Sequence, residues 1–192
     1  MPASKRLFVL RHAKSSWDDP GLGDHERPLA PRGRRALAAI ASYIQDRGIE
    51  PDLVLCSSSR RTRETLEGIE VGGEHVIERT LYEADTERVL ERLRRLPEDI
   101  GSVMLIGHNP TAQMLVLRLT NHGAAGAADP ERDEVKRKFP TGALASLAVA
   151  GDWADLAPGC ARLEDFTSPK GFSVAPEGAA AAPALPASTT AR

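Results

Sequence analysis

The chain has little of what would mark it for an oxidising or membrane setting. It carries two cysteines, Cys56 and Cys160, too few for a disulfide scaffold and in keeping with a reducing compartment. No apolar run approaches the roughly 20 residues needed to cross a bilayer. The apolar stretch after Lys5-Arg6 stops at Arg11, so the secretory h-region is also missing. A cytoplasmic protein without a membrane partner is expected. Excess charge of one sign is lacking as well: 25 Lys+Arg stand against 27 Asp+Glu. That balance argues against a nucleic-acid partner, although it leaves room for a local basic pocket. There is no internal repeat, and no carboxylate cluster has metal-ligand spacing. Neither a metal nor any other cofactor is expected.

What is present is a series of short apolar runs alternating with helical periodicity. Leu7-Phe8-Val9-Leu10 is continuous and runs directly into Arg11-His12, as a strand buried on both faces would. Leu53-Val54-Leu55-Cys56 repeats the pattern before Ser57-Ser58-Ser59, and Val103-Met104-Leu105-Ile106 before Gly107-His108-Asn109-Pro110. Shorter strands are predicted over 75–78, 143–150 and, at an edge, 162–167. Between them the spacing predicts helices from about Arg34, where Leu37, Ile40, Ala41 and Ile44 fall on one face and Gly48 marks the end. Others run from Arg60 to about Gly68 with a serine cap, from about residue 86 to Leu96 before Pro97, and from Thr111 to Leu119. Residues 121–133, rich in Gly, Ala and acids, are expected to form a loop. The stretch 173–192 is almost pure Ala, Pro, Gly, Ser and Thr and is expected to be a disordered tail. The predicted architecture is α/β: a three-layer sandwich, a mostly parallel sheet with helices on both faces.

In such a sheet the three strong strands end on one edge, where ligands of open α/β sheets sit. Arg11, His12, an arginine after Ser59 and His108 would then converge. Arginine forks and helix N-termini suit a tetrahedral dianion, and a neutral, oriented histidine can attack phosphorus. Lys14, Ser15 and the helix start after Ser59 are further oxygen ligands to consider. His25, His75 and His122 read as exposed loop or strand residues, Cys56 as an inert core thiol, and Arg60 and Arg63 as a solvated helix face or salt bridges. The basic runs at 92–95 and 136–138 read as solvated faces. Trp17 either lines the pocket mouth or packs.

These residues, taken with Glu26-Arg27-Pro28-Leu29, Arg32-Gly33, Leu81-Tyr82-Glu83-Ala84 and Phe139-Pro140-Thr141-Gly142-Ala143, resemble the histidine phosphatase superfamily. That superfamily includes the phosphoglycerate mutases, and the chain looks most like its bacterial SixA-type phosphohistidine phosphatases. The resemblance covers about residues 5–170. It implies a phosphoglycerate mutase-like fold and a catalytic domain over 1–172. It places the nucleophile at His12, phosphate-binding arginines at Arg11 and Arg61 (four before Thr65), and a phosphoryl-binding histidine at His108. The superfamily's general acid falls near Glu83, with Asp18 or Asp19 as alternatives. Lys14, Ser15, Asn109 and Thr141 are the expected substrate-binding residues. Ala13-Lys14 replaces the glycine and acid that follow Arg-His in the mutases, which favours the phosphohistidine branch.

The implied activity is a metal-independent phosphatase working through phosphohistidine on His12, most readily on a phosphorylated protein. A small phosphoester substrate on the same scaffold is the alternative, and a non-catalytic phosphate-binding adaptor is another. Fewer than about fifty residues separate Arg61 from His108, and a strand, a helix and a strand already occupy them. No large lid fits there.

Overall fold

The structure, a computed structural model, describes residues 5–121, 129–169 and 171. Six strands form one sheet in the order β3-β2-β4-β1-β5-β6. They are β1 (Lys5–Arg11), β2 (Leu53–Ser57), β3 (Glu74–Glu78), β4 (Ser102–Gly107), β5 (Leu144–Val149) and β6 (Ala161–Thr167). The first four are mutually parallel, whereas β5 runs antiparallel to β1 and β6 antiparallel to β5. The sheet is thus mixed, with its antiparallel pair at one end.

Alternation along the apolar runs sorts their side chains into two cores. Phe8, Leu10, Val54, Cys56, Met104 and Ile106 pack with Leu37, Ile40 and Ile44 of α1 (Pro31–Asp46) and with Leu66 and Ile69 of α2 (Arg60–Ile69). Leu7, Val9, Leu53, Leu55, Val103 and Leu105 face the other way. There they meet Val89, Leu90 and Leu93 of α3 (Thr86–Arg94), Leu115, Val116 and Leu119 of α4 (Thr111–Leu119), and Val135 of α5 (Pro130–Arg137). Strands apolar on both faces require cover on both, and helices supply it. The result is the three-layer sandwich that the sequence predicts.

Two local expectations need correction. The loop expected over 121–133 gives way to α5 from Pro130 onward; residues 122–128, with His122, lie outside the described residues, as does the stretch expected to be a tail. The Asp129 side chain caps α5 by accepting the Arg132 N–H, Pro130 fills the first turn, and Lys136 and Arg137 close the last. The second correction concerns α2. Ser59 does occupy the N-cap position, but its hydroxyl bonds the Thr62 hydroxyl at 2.8 Å rather than a helix N–H. Elsewhere the fit is close. α1 ends where Gly48 takes φ +58°, the left-handed conformation that favours glycine.

Parallel β1, β2, β3 and β4 end on one edge. The chain after β1 is pinned there from three sides. Arg11 N–H donates to the Ala143 carbonyl (3.0 Å), His12 N–H to the Gly107 carbonyl (3.1 Å), and Gly142 N–H reaches back to the carbonyls of Arg11 and His12 (3.0 Å each).

Candidate active site

His12 leaves β1 into a tightly built turn, 7% exposed. Its Nδ1 lies 2.7 Å from the Ala13 carbonyl. A carbonyl only accepts, so Nδ1 carries the proton and Nε2 keeps its lone pair. Burial lowers the His12 pKa to about 3, against the Ala13 carbonyl, which raises it; His108, Arg61 and Arg11 add to the lowering. The ring is therefore neutral and oriented at ordinary pH, the state a nucleophile needs. Helix α1 holds the turn from outside. A Cβ on Gly33 would stand 2.1 Å from the Lys14 carbonyl oxygen, so only glycine allows this approach.

His108, at the end of β4, lies 5.2 Å from His12 between ring centroids. Its Nε2 is 2.7 Å from the Ser57 hydroxyl at the end of β2, and its Nδ1 is 3.4 Å from Nη2 of Arg61. Arginine only donates, so Nδ1 accepts here and Nε2–H donates to Ser57. Because a hydroxyl both donates and accepts, Ser57 also supports the other tautomer, in which Nδ1–H faces an anion. Burial first, then Arg61, lowers the His108 pKa to about 4.

Two arginines flank the histidines. Arg11 is fixed by Nη1 donating to the Phe139 carbonyl (2.7 Å), while its Nε–H is buried with no partner among the described residues. Burial and the charge of Arg61 lower its pKa. Arg61, on the first turn of α2, is 7% exposed and donates from Nη1 to the Asp24 carbonyl (2.6 Å) and from Nη2 to the Asp24 carboxylate (2.9 Å). Arg27 takes the other Asp24 oxygen at 2.7 Å and also donates to Ser15 Oγ (2.7 Å) and the Ser16 carbonyl (2.9 Å). The Tyr82 hydroxyl donates to Asp24 at 2.6 Å. That bond, with the two arginines, holds the Asp24 carboxyl well below the usual carboxylate range. The unpartnered Nε–H of Arg11, with the Arg61 guanidinium nearby, can take an anion, and phosphoryl oxygens suit such donors.

The structure brings Arg11, His12, Arg61 and His108 together. Asn109 follows His108 and donates to Gln113 and to the Phe139 carbonyl, at 3.2 Å each. Glu83 is exposed and lines a cavity with His108 and Asn109, which His12 itself does not line. Thr141 is half-buried in the turn that clasps Arg11 and His12. Ser15 is buried and engaged by Arg27, while the exposed Lys14 side chain forms no hydrogen bond or ion pair among the described residues. Asp18 and Asp19 line a different cavity, beside Arg27 and Arg34. Trp17, 71% exposed, lies against the Arg27 guanidinium.

One expectation for the histidines fails. The ring of His25 is not a free loop group: it meets Tyr82 edge-on at 4.7 Å and Ser58 Oγ at 2.9 Å. His75 is exposed on β3, as expected. Sequence reasoning also passed over Asp24, Ser57 and Tyr82 as functional groups. Asp24 lies just ahead of the Glu26-Arg27-Pro28-Leu29 motif, and the other two lie within recognised motifs, but nothing in their spacing shows that they meet Arg61 and His108. Cys56 is buried, and burial pushes its thiol up to about 12. Arg60 pairs with Glu64 on the surface of α2. Among the described residues no group of three or more His, Cys, Asp or Glu side chains is placed to hold a metal ion, and no helix is long and apolar enough to cross a membrane.

The parallel-strand edge thus carries a neutral histidine, a second histidine and two arginines. The family model for the histidine phosphatase superfamily (branch 1) matches residues 7–102, and the chain belongs to that superfamily. Its neighbours within that superfamily include SixA proteins. A candidate phosphohistidine phosphatase SixA from Nakamurella multipartitia superposes with a TM-score of 0.78 at 30% identity, covering 86% of this chain and 96% of that one. Phosphohistidine phosphatase SixA of Escherichia coli K12 is 28% identical over 152 residues, 75% of this chain and 85% of its own. An uncharacterized Mycobacterium tuberculosis protein is 38% identical over 161 residues, 84% of this chain and all of its own.

Proposed function

We propose that the protein is a metal-independent phosphatase that removes phosphate from phosphohistidine on a protein, through a phosphoryl group carried on His12. The observation that carries this is the His12 ring: neutral, tied at Nδ1 to Ala13, with Nε2 open beside Arg11, Arg61 and His108. The SixA neighbours are named as phosphohistidine phosphatases, which supports the same substrate class. The catalytic unit is taken as residues 1–172.

In the first step the Nε2 lone pair forms a bond to phosphorus while the bond to the leaving group breaks and its electron pair departs with that group. Phosphorylated His12 is then an imidazolium, and the Ala13 carbonyl stabilises the proton on Nδ1. Arg11 and Arg61 neutralise the phosphoryl oxygens, and Nδ1–H of His108 donates a hydrogen bond to them. Ser57 supports the His108 tautomer that this requires. Catalysis of this kind is mostly positioning and charge stabilisation, which these side chains supply without a metal. Water then forms the new P–O bond, the N–P pair returns to His12, and both water hydrogens leave with inorganic phosphate.

The test is phosphate release from a histidine-phosphorylated protein, with and without EDTA and with vanadate added. Turnover that survives EDTA and is blocked by vanadate supports the proposal, since vanadate imitates the pentacoordinate transition state. A requirement for an added divalent ion refutes it.

A further inference from the structure

The phosphoryl site accounts for one side of the reaction, and the leaving group must occupy the other. A cavity of about 310 Å³ opens beside His108, lined by Tyr82, Glu83, Asp85, Asn109, Thr111 and an apolar floor that includes Val89 and Leu105; His12 takes no part in it. Its polar inventory is one-sided. No lysine or arginine lines it. The Tyr82 hydroxyl is committed to Asp24 and the Thr111 hydroxyl to the Ala84 carbonyl, so neither donor is free. Asp85 uses one oxygen to cap α3, and Glu83 forms no hydrogen bond or ion pair among the described residues. The chamber therefore offers carboxylate acceptors over an apolar floor.

We propose that this cavity is the leaving-group chamber, and that Glu83, with Asp85 behind it, selects departing groups that bear a positive charge or a protonated ring nitrogen and rejects those that bear a carboxylate. This rests on the phosphatase function proposed above. It gives Glu83 a role as a hydrogen-bond acceptor and a specificity-determining residue.

The chemistry of imidazole-to-imidazole transfer explains why an acceptor belongs there. At the transition state phosphorus lies between two rings. His12 keeps a proton on its far nitrogen, and Ala13 holds it. A substrate phosphoimidazole departs well only when its own far nitrogen is protonated; the P–N electron pair then returns to the near nitrogen and the product is neutral imidazole rather than an imidazolide. The far N–H stays on the ring throughout. A carboxylate facing it does for the substrate ring what the Ala13 carbonyl does for His12. The same carboxylate repels an anionic leaving group, and such an interaction is weakly screened beside an apolar wall.

The experiment uses the full chain and compares O-phosphoethanolamine with 2-phosphoglycolate. Both are primary alkyl phosphates, so a need for leaving-group protonation bears on each and cancels largely in the ratio, while the leaving-group charge differs. A histidine peptide phosphorylated with phosphoramidate is the third substrate. In the wild type kcat/KM for phosphoethanolamine should exceed that for phosphoglycolate by about tenfold. Glu83→Gln should lower this ratio severalfold and Glu83→Lys should invert it, with the peptide rate falling about tenfold in Glu83→Lys. Glu83 is exposed, and a near-native melting temperature in either variant keeps the comparison valid. An enzyme that hydrolyses the peptide yet shows a ratio near one, or a ratio that Glu83→Lys leaves unmoved, overturns the chamber and spares the phosphatase function. No hydrolysis of any of the three overturns both.

Discussion

The Asp24 carboxylate lies between two buried guanidinium groups, 2.7 Å from Arg27 and 2.9 Å from Arg61. Asp24 thereby fixes Arg61 from outside the pocket, and Arg61 is one of the two arginines that face the histidines. Replacing Asp24 by Ala should reduce kcat/KM by about ten- to a hundredfold, roughly 1.4–2.7 kcal/mol of transition-state stabilisation. Tyr82→Phe, which removes one bond to the same carboxylate, should cost less. Steady-state kinetics on one phosphoester checks both, and an Asp24→Ala enzyme with wild-type kcat/KM would remove Asp24 from the account.

The low pKa values of His12 and His108 fix a stability trend with the opposite sign from that of a salt-bridged histidine. Each ring is neutral in the folded protein down to about 3 and 4, respectively, whereas an unfolded histidine protonates near 6.5. Between these limits the unfolded chain binds more protons, so stability falls as pH falls, at up to about 1.4 kcal/mol per pH unit per histidine. Asp24 acts in the same direction at lower pH, since its carboxylate must stay ionised for the arginines. Urea denaturation from pH 7 to 4 should show this slope, and His12→Asn should reduce it by up to one proton's worth.

The same values predict the acid limb of activity. With His12 and His108 already neutral near pH 6, the fall in kcat/KM at low pH should follow the second ionisation of the substrate phosphate, about 6. Changing to a phosphoester with a lower second pKa should move the limb by the same amount. A limb that stays fixed would assign it to an enzyme group.

Gly33 tests the packing behind the site. A methyl group there meets the backbone carbonyl oxygen of Lys14 at 2.1 Å, so it is not accommodated without moving the segment that carries His12. Gly33→Ala should cost about 1–3 kcal/mol of stability and lower kcat at temperatures where the protein stays folded. Thermal melts and kinetics on the same sample separate the two effects.

The strands were readable because a segment buried on both faces is apolar at every position, as at Leu7–Leu10 and Val103–Ile106. Those runs also exposed their polar ends, which is why Arg11, His12 and His108 stood out. α5 was hidden by the Gly- and Ala-rich stretch ahead of it, although Asp129-Pro130 is a sound helix start. The support around Arg61 was hidden for a different reason. Asp24 meets Arg61 across 37 positions, and Ser57 meets His108 across 51. Sequence periodicity reports which face a residue takes, not which distant side chain it will touch.

The central claim is that phosphate passes through a covalent bond to Nε2 of His12. Rapid quench of the wild-type protein with a labelled phosphoryl donor, at alkaline pH, reads this directly. The account predicts one label per chain, stable to alkali, lost in acid, mapped to His12 and absent from a folded His12→Ala variant that turns over no substrate. A label on a serine or cysteine, or a His12→Ala protein with substantial activity, would contradict it.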